Sequence, residues 1–298
     1  MLDSTVITML AMNTLIYTVI LALISIGLNM ILGILRILNV SHGVFMAVGA
    51  YLSITFVKFF LSSGLPVATT YLALILAGLI AGGLLGFIIE PVILRRIYNR
   101  IEVHQLLVTF ALMLIIEDLI KFIWGPQSQI VTEPYLYLGV LNIGGLSYPL
   151  YYVFLMGVGY LILLLTYFIL NHTKLGKIFL ATAYDREISL ALGINVKKVY
   201  TYAFTFGATL TTLGGALMSP TLSLQPGFST DYIVLAFAVV VVGGLGDVKG
   251  AFIASLLMAF ARALIVIIIP ELELATVFII MLVIILLRPE GILRGRKV

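Results

Sequence analysis

The 298-residue chain has no cysteine, one tryptophan, three histidines and few charges, with Asp, Glu, Lys and Arg making up 10% of it. Without cysteine there is no disulfide, no thiolate metal site and no cysteine nucleophile. A soluble domain carries about 25% charged residues, so this chain cannot make a water-facing surface, and a very large buried core fails on the same ground. What it has instead is apolar length: 62% hydrophobic residues and a mean hydropathy of +1.21. Stretches of roughly 20 apolar residues recur along it, the length that crosses a bilayer as a helix. The chain is therefore expected to be an all-α integral membrane protein. The opening MLDSTV also lacks a basic n-region, and no small-residue cleavage site follows, so the first apolar run reads as a retained span.

Apolar segments lie near 7–35, 42–61, 67–89, 106–124, 149–170, 200–220, 232–246, 250–269 and 274–288. The first is long enough to contain a break, and 232–246 is short for a span. The expectation is a polytopic helical bundle with eight or nine transmembrane segments, some broken or short, over one domain, 1–298. Basic residues set its orientation. Arg95, Arg96 and Arg100, then Lys174, Lys177, Arg186, Lys197 and Lys198, then Arg288, Arg294, Arg296 and Lys297 fall on one side, which the positive-inside rule makes the cytoplasm. Asp3, Glu133, Asp231, Glu271 and Glu273 collect opposite. The N-terminus is then outside and the C-terminus cytoplasmic. The formal charge of +4 marks those cytoplasmic loops and does not imply nucleic acid.

Two long connections interrupt the apolar pattern. The external one, about 125–148, is rich in Gly, Pro and Tyr, as expected of a folded loop that lies on the membrane or receives a partner. The cytoplasmic one, about 171–198, is basic and reads as helical. Within it, ATAYDREISLALGIN (181–195) places Ala181, Tyr184, Ile188, Ala191 and Leu192 at helical spacing, with Gly193 where a helix turns off. Such a helix either rests on lipid headgroups or docks an apolar stripe into a partner's groove. Its acids, Asp185 and Glu187, gain nothing against an anionic leaflet, which favours docking. A faint likeness between 42–52 and 249–259 hints at an internal repeat.

REISLALGIN resembles the coupling loop of ABC-importer permeases, Glu-Ala-Ala, three residues, then Gly; Glu187 and Gly193 match, and Ile188 and Ser189 replace the alanines. With GLNMILGILRILNVSHGVFMAVGAYLS (27–53), AFAVVVVGGLGDVKGAF (236–252) and LRPEGILRGR (287–296), in that order, it makes the chain resemble the branched-chain amino acid ABC transporter permease family, LivH-type subunit. The likeness covers essentially the whole chain. It implies a multi-pass subunit in a prokaryotic inner membrane. The implied partners are a second homologous permease, two cytoplasmic ATPase subunits and an extracytoplasmic solute-binding protein that delivers Leu, Ile or Val. It also implies that Tyr184, Asp185, Arg186, Glu187, Ala191 and Gly193 belong to the ATPase-coupling loop. No cofactor is expected on this chain; ATP-Mg belongs to the partner ATPases. Within the same architecture, urea or short-chain amides are alternative substrates. An ion-coupled secondary amino acid carrier is the alternative from another class, and it would need an ionisable relay in the membrane.

Other stretches keep two readings. Asn39, Ser41, His42 and Gly43 precede a span near the cytoplasmic face. Either they line the solute path, where a helix start attracts a carboxylate, or Ser41 caps the helix and His42 bonds a neighbouring backbone. Gly243, Gly244 and Gly246 in GGLGDVKG do not fit a phosphate loop. They allow a break beside the solute path or pack a tight turn. Glu117, Asp118, Lys121 and Arg262 fall in apolar segments, so partners are expected: Glu117 with Lys121 along one face, and Arg262 across to Asp118 or Glu117. Gly82 and Gly86 have the small-xxx-small spacing of close helix packing, within the chain or against a second subunit. No catalytic or metal site is expected, since no cluster of His, Asp or Glu on facing spans is evident.

Overall fold

The computed structural model describes residues 4–143, 146–288 and 290–293. Asp3, Arg294, Arg296 and Lys297, used above for orientation, lie outside the described residues. Twelve α-helices are described: α1 Ser4–Leu35, α2 His42–Ser62, α3 Thr70–Val92, α4 Glu102–Trp124, α5 Glu133–Tyr137, α6 Leu150–His172, α7 Lys174–Tyr184, α8 Arg186–Ala191, α9 Val196–Met218, α10 Ser229–Gly243, α11 Val248–Ile268 and α12 Glu273–Leu287. Two strands, β1 Val140–Ile143 and β2 Leu146–Pro149, form a hairpin that pairs antiparallel with Val140 opposite Pro149 and Leu141 opposite Tyr148. In the long connection before α6 lie α5 and the hairpin. The Tyr71 hydroxyl donates to the Pro134 carbonyl at 2.8 Å and ties it to α3.

Among the described residues, six stretches are long and apolar enough to cross a membrane: Ser4–Leu35, His42–Ser62, Val67–Arg96, Leu150–His172, Val248–Ile268 and Pro270–Leu287. Helices α4 and α9 match them in length, at 23 residues each, but are more polar. Four charged residues lie in α4, and α9 carries Thr201, Thr205, Thr209, Thr211 and Thr212. Helix α10 has 15 residues. Burial sorts the spans. The most apolar window of α1 is 89% buried and that of the last stretch 6%, so α1 is the axis of the bundle and α12 lies on its rim. Helix α1 packs on α6, α9, α10 and α11, and α9 packs on α2 and α3.

The tightest seam joins α3 to α9. Gly78, Gly82 and Gly86 sit four residues apart on α3, facing Leu213, Thr209 and Thr205 spaced four apart in the opposite direction on α9. A Cβ added to Gly82 would lie 2.3 Å from the Thr209 Cα, and one added to Gly86 would lie 2.4 Å from the Thr205 Cα. Only a missing side chain lets the backbones approach this closely. The small-residue spacing is therefore used within the chain.

Helix α2 does not begin at the end of the bundle. Arg36 follows α1 in the left-handed region, with φ +55, and the chain doubles back. His42 Nε2 then lies 3.2 Å from the Ile24 carbonyl and against Gly27, two to three turns back from the end of α1. A reversed strap thus carries Asn39, Ser41 and His42 inward, where all three are fully buried. The other end of the bundle has a matching dip. Leu224 pairs with Gln129 of the connection before α6, and a few residues later Ser229 opens α10; the Ser229 carbonyl would be 3.1 Å from a Cβ on Gly43.

Candidate functional site: the α7–α8 connection and its anchors

At one end of the bundle α7 and α8 form a short bent arm. The expectation of one continuous amphipathic helix through 181–195 is corrected, because the helix breaks at Asp185, which is extended at φ −145 and ψ 110. Its Oδ1 accepts the backbone N–H of Glu187 at 2.8 Å and of Ile188 at 2.9 Å. An aspartate there satisfies two of the four donors that a helix start leaves open. At the other end Gly193 takes φ +82. Its N–H donates to the Leu190 carbonyl and that of Ile194 to Ser189, both at 3.0 Å. This pair of bonds is a Schellman motif, which needs a left-handed residue at that point. The Asn195 side chain then accepts from Lys198 N at 3.2 Å and starts α9.

The arm presents apolar side chains outward. Ile188 and Tyr184 are 59% exposed and Leu192 74% exposed, with Leu190 also exposed, while Ser189 faces inward and donates to the Asp185 carbonyl. Arg186, Glu187 and Ala191 are exposed as well. Six residues cannot hold a helix by propensity, so caps and anchors fix this one. The Arg36 guanidinium donates to the Ala183 carbonyl in the last turn of α7 at 3.0 Å, where a cation also meets the negative end of the helix dipole. Arg186 lies 5.9 Å from the centre of the Tyr200 ring, and Tyr98 meets Tyr200 edge-on at 5.2 Å. Burial, then the hydrogen bond to Glu90, pushes the Tyr98 phenol far above its usual range.

The reversed strap and the glycine loop flank this arm. Ser41 makes no side-chain cap to α2; its hydroxyl donates to Asn39 Oδ1 at 2.6 Å, which corrects the capping reading. His42 does bond backbone, and its Nε2 also meets the Thr211 hydroxyl at 2.5 Å. Asn39 Nδ2 and His42 Nδ1 are buried with no hydrogen-bond partner among the described residues. Gly43 is closed against Ile233 of α10.

Gly243, Gly244 and Gly246 are gathered elsewhere, against α1 and α11. A Cβ on Gly243 would meet Gly250, and Gly33 approaches the Gly246 Cα so closely that a Cβ would lie 2.7 Å from it. Asn29, fully buried, reads this loop: Oδ1 accepts Gly246 N at 2.7 Å and Nδ2 donates to the Asp247 carbonyl at 2.8 Å. Asp247 then caps α11 through Lys249 N and Gly250 N. Between this loop, Arg36, Glu102 and Tyr184 opens a cavity of about 990 Å³.

The charges in apolar segments pair differently from expectation. Lys121 bonds Asp118 at 3.0 Å, not Glu117, and Glu117 Oε1 is buried without a partner among the described residues. Arg262 pairs with Glu273 and lies 4.5 Å from the centre of the Tyr17 ring. Asp118 and Glu117 are out of its reach because α4 leans on α2, whereas α11 turns directly into α12. Three anchors escaped sequence reasoning: Arg36, Glu90 and Asn29. Glu90 with Arg95 and Tyr98 has a signal in the sequence, an acid just before the RRIY run.

Residues 10–287 match the family described as branched-chain amino acid transport system / permease component. The chain is 25% identical over 280 residues to the high-affinity branched-chain amino acid transport system permease protein LivH of Escherichia coli (strain K12), covering 91% of this chain and 90% of that one. It is 25% identical over 248 residues to BraD of Pseudomonas aeruginosa, a permease protein of the same description, covering 81% and 80%. It is also 24% identical over 251 residues to the ribose import permease protein RbsC of Escherichia coli (strain K12), covering 80% and 72%. The family match spans the arm, the strap and the glycine loop, and the chain belongs to the branched-chain amino acid permease family, as a multi-pass membrane permease component of an ABC-type transport system.

Proposed function

We propose that the chain is a membrane-spanning subunit of an ATP-driven importer for branched-chain amino acids. It pairs with a second, homologous permease, takes solute from an extracytoplasmic binding protein and is driven by two cytoplasmic ATPases that hold ATP-Mg. Nine crossings then run from an outer N-terminus to a cytoplasmic C-terminus in a prokaryotic inner membrane, with α4, α9 and the short α10 completing the six apolar spans. The observation that carries this reading is the outward apolar row Tyr184, Ile188, Leu190 and Leu192 on a capped, anchored arm. A water-facing helix gains nothing by exposing it, whereas a groove on a partner covers it.

The mechanism follows as alternating access. ATP binding draws the ATPases together, α8 moves with them, and the helices anchored to it reorient the cavity between the paired permeases. Solute drives the change only through different affinity for the two states. Asn39, Ser41, His42 and Gly43, closed here between α1, α9 and α10, form the constriction of that path. Gly243, Gly244 and Gly246 line its inner mouth beside the Arg36 cavity. The intramembrane carboxylates and cations act in packing.

Purification from native membranes in mild detergent, with each associated chain identified by mass, tests this. Two ATPases and a second permease accompany the normal chain, and Glu187→Arg releases the ATPases. A chain that purifies alone and still transports refutes the reading and favours an ion-coupled carrier. Uptake assays with Leu, urea and ribose then fix the substrate.

A further inference from the structure

We propose that Glu90 is a positioning residue of the transport cycle, a latch that locks α3 to the root of α9 so that α3, α9 and the α8 arm move as one piece. The inference rests on the importer reading above. Glu90 continues the Gly78, Gly82, Gly86 spacing by one more step of four, and opposite it on α9, again four residues on from Thr205, stands Thr201. Where the first three positions need no side chain, the fourth is a fully buried carboxylate.

Every lone-pair direction of that carboxylate is engaged. Oε1 accepts from the Tyr98 hydroxyl at 2.7 Å and from Arg95 Nε at 3.3 Å. Oε2 accepts from Arg95 Nη2 at 2.7 Å and from the Thr201 hydroxyl at 2.6 Å. Arg95 Nη2 also donates to the Thr201 oxygen at 2.8 Å. One acid thereby holds α3, the turn after it and the first turns of α9.

A buried ion pair adds little stability over apolar side chains of the same size, so stability alone does not account for it. What it adds is direction: apolar contacts would let α3 slide along α9, while bonds to three donors on two elements fix their register. The same cluster reaches the arm. Tyr98 touches Tyr200, Tyr200 faces Arg186, and only residues 192–195 separate α8 from α9. A displacement of α8 enters α9 within one turn of Thr201. The latch passes it to α3, and the glycine seam carries it through the bundle.

The test uses the whole complex in proteoliposomes, with ATP hydrolysis and leucine uptake measured in the same vesicles. Glu90→Gln keeps the shape but loses the charge, Glu90→Asp keeps the charge, and Tyr98→Phe removes one donor. The Gln variant is expected to assemble with its ATPases and hydrolyse ATP within about twofold of normal, yet import about tenfold less leucine per ATP. The Asp variant recovers part of that ratio, and Tyr98→Phe loses less than Gln. Hydrogen exchange in the purified chain gives a second reading, in which the Gln variant exchanges faster throughout 186–201. An unchanged uptake-to-hydrolysis ratio overturns the latch, and so does a parallel fall of both rates with loss of assembled complex. Should normal complex hydrolyse ATP without moving leucine, the substrate assignment fails and unchanged exchange at 186–191 overturns the latch separately. A normal chain that brings no ATPase refutes the importer reading and the latch with it.

Discussion

Gly82 and Gly83 are neighbours on α3 with opposite surroundings, which makes them a clean test of the seam. A Cβ at Gly82 would lie 2.3 Å from the Thr209 Cα, 2.6 Å from its hydroxyl and 2.7 Å from that of Thr212; at Gly83 nothing lies within 4 Å. The nearest obstacle is backbone, so no rotamer relieves it, and the helices must part by about 1 Å before ordinary contact is restored. Overpacking of this kind costs roughly 1–3 kcal/mol. Alanine also gains about 1 kcal/mol over glycine inside a helix, but that gain is common to both positions and cancels in the comparison. Gly82→Ala is therefore expected to be less stable than Gly83→Ala by about 1–3 kcal/mol. Thermal unfolding of both variants in one detergent, followed by circular dichroism at one scan rate, reads the gap. Thr209→Gly added to Gly82→Ala rescues little, because the clashing Cα remains. Equal midpoints for the two alanine variants, or full rescue by Thr209→Gly, would refute the close approach.

Three further outcomes follow from single anchors. Asp185→Ala removes both bonds that start α8 and costs about 1 kcal/mol, so hydrogen exchange across 186–191 rises while the spans are unchanged. Asn29→Ala leaves the Gly246 N–H without its acceptor at a cost of about 1–3 kcal/mol, and limited proteolysis is expected to open the chain at 244–249; resistance there sinks the assignment. Glu273→Gln strands the Arg262 guanidinium, 13% exposed, whereas the double variant Arg262→Met with Glu273→Gln does not. The double variant is expected to melt above the single one, and the reverse order would show that Arg262 is held mainly by Tyr17.

The helices were legible because hydropathy and length act locally: every expected apolar segment contains a helix in the described residues, and six such stretches are long and apolar enough to cross a membrane. What stayed hidden depended on distance. Nothing near His42 in sequence says that the chain doubles back to lay it on Ile24, since the strap is set by Arg36 entering the left-handed region and by contacts with α9 and α10. The pairing of Arg262 was misjudged for the same reason. Helical spacing suggests neighbours within α4 but says nothing about which helix hairpin closes beside α11. In the arm, Gly193 was readable as a stop because a left-handed terminus has few alternatives, whereas Asp185 read as a surface acid until the extended backbone made it a cap. Asn29 carried no readable sign. A buried asparagine in an apolar helix announces only that some partner exists, 215 or more residues away here.

In a chain this poor in charge, the partner of each acid separates structure from docking. Asp185 and Asp247 cap helices, Glu90 is saturated by three donors, and Glu273 closes on Arg262. Each of these four acids is engaged within the chain, so substituting it acts on the chain's own contacts before it acts on a partner. Glu187 differs: it is exposed on α8, between Tyr184 and Ile188 of the arm's exposed apolar row, and its carboxylate has no bond among the described residues. An acid in the first turn gains a few tenths of a kcal/mol from the helix dipole, too little to explain why it stands there. Reversing its charge should therefore leave the melting temperature of the isolated chain nearly unchanged while releasing the ATPases of the proposed importer, and Asp185→Ala should do the opposite in degree, loosening the arm itself. If Glu187→Arg unfolds the chain instead, the arm is a structural element, and the exposed row beside it is packing that the bundle, rather than a partner, completes.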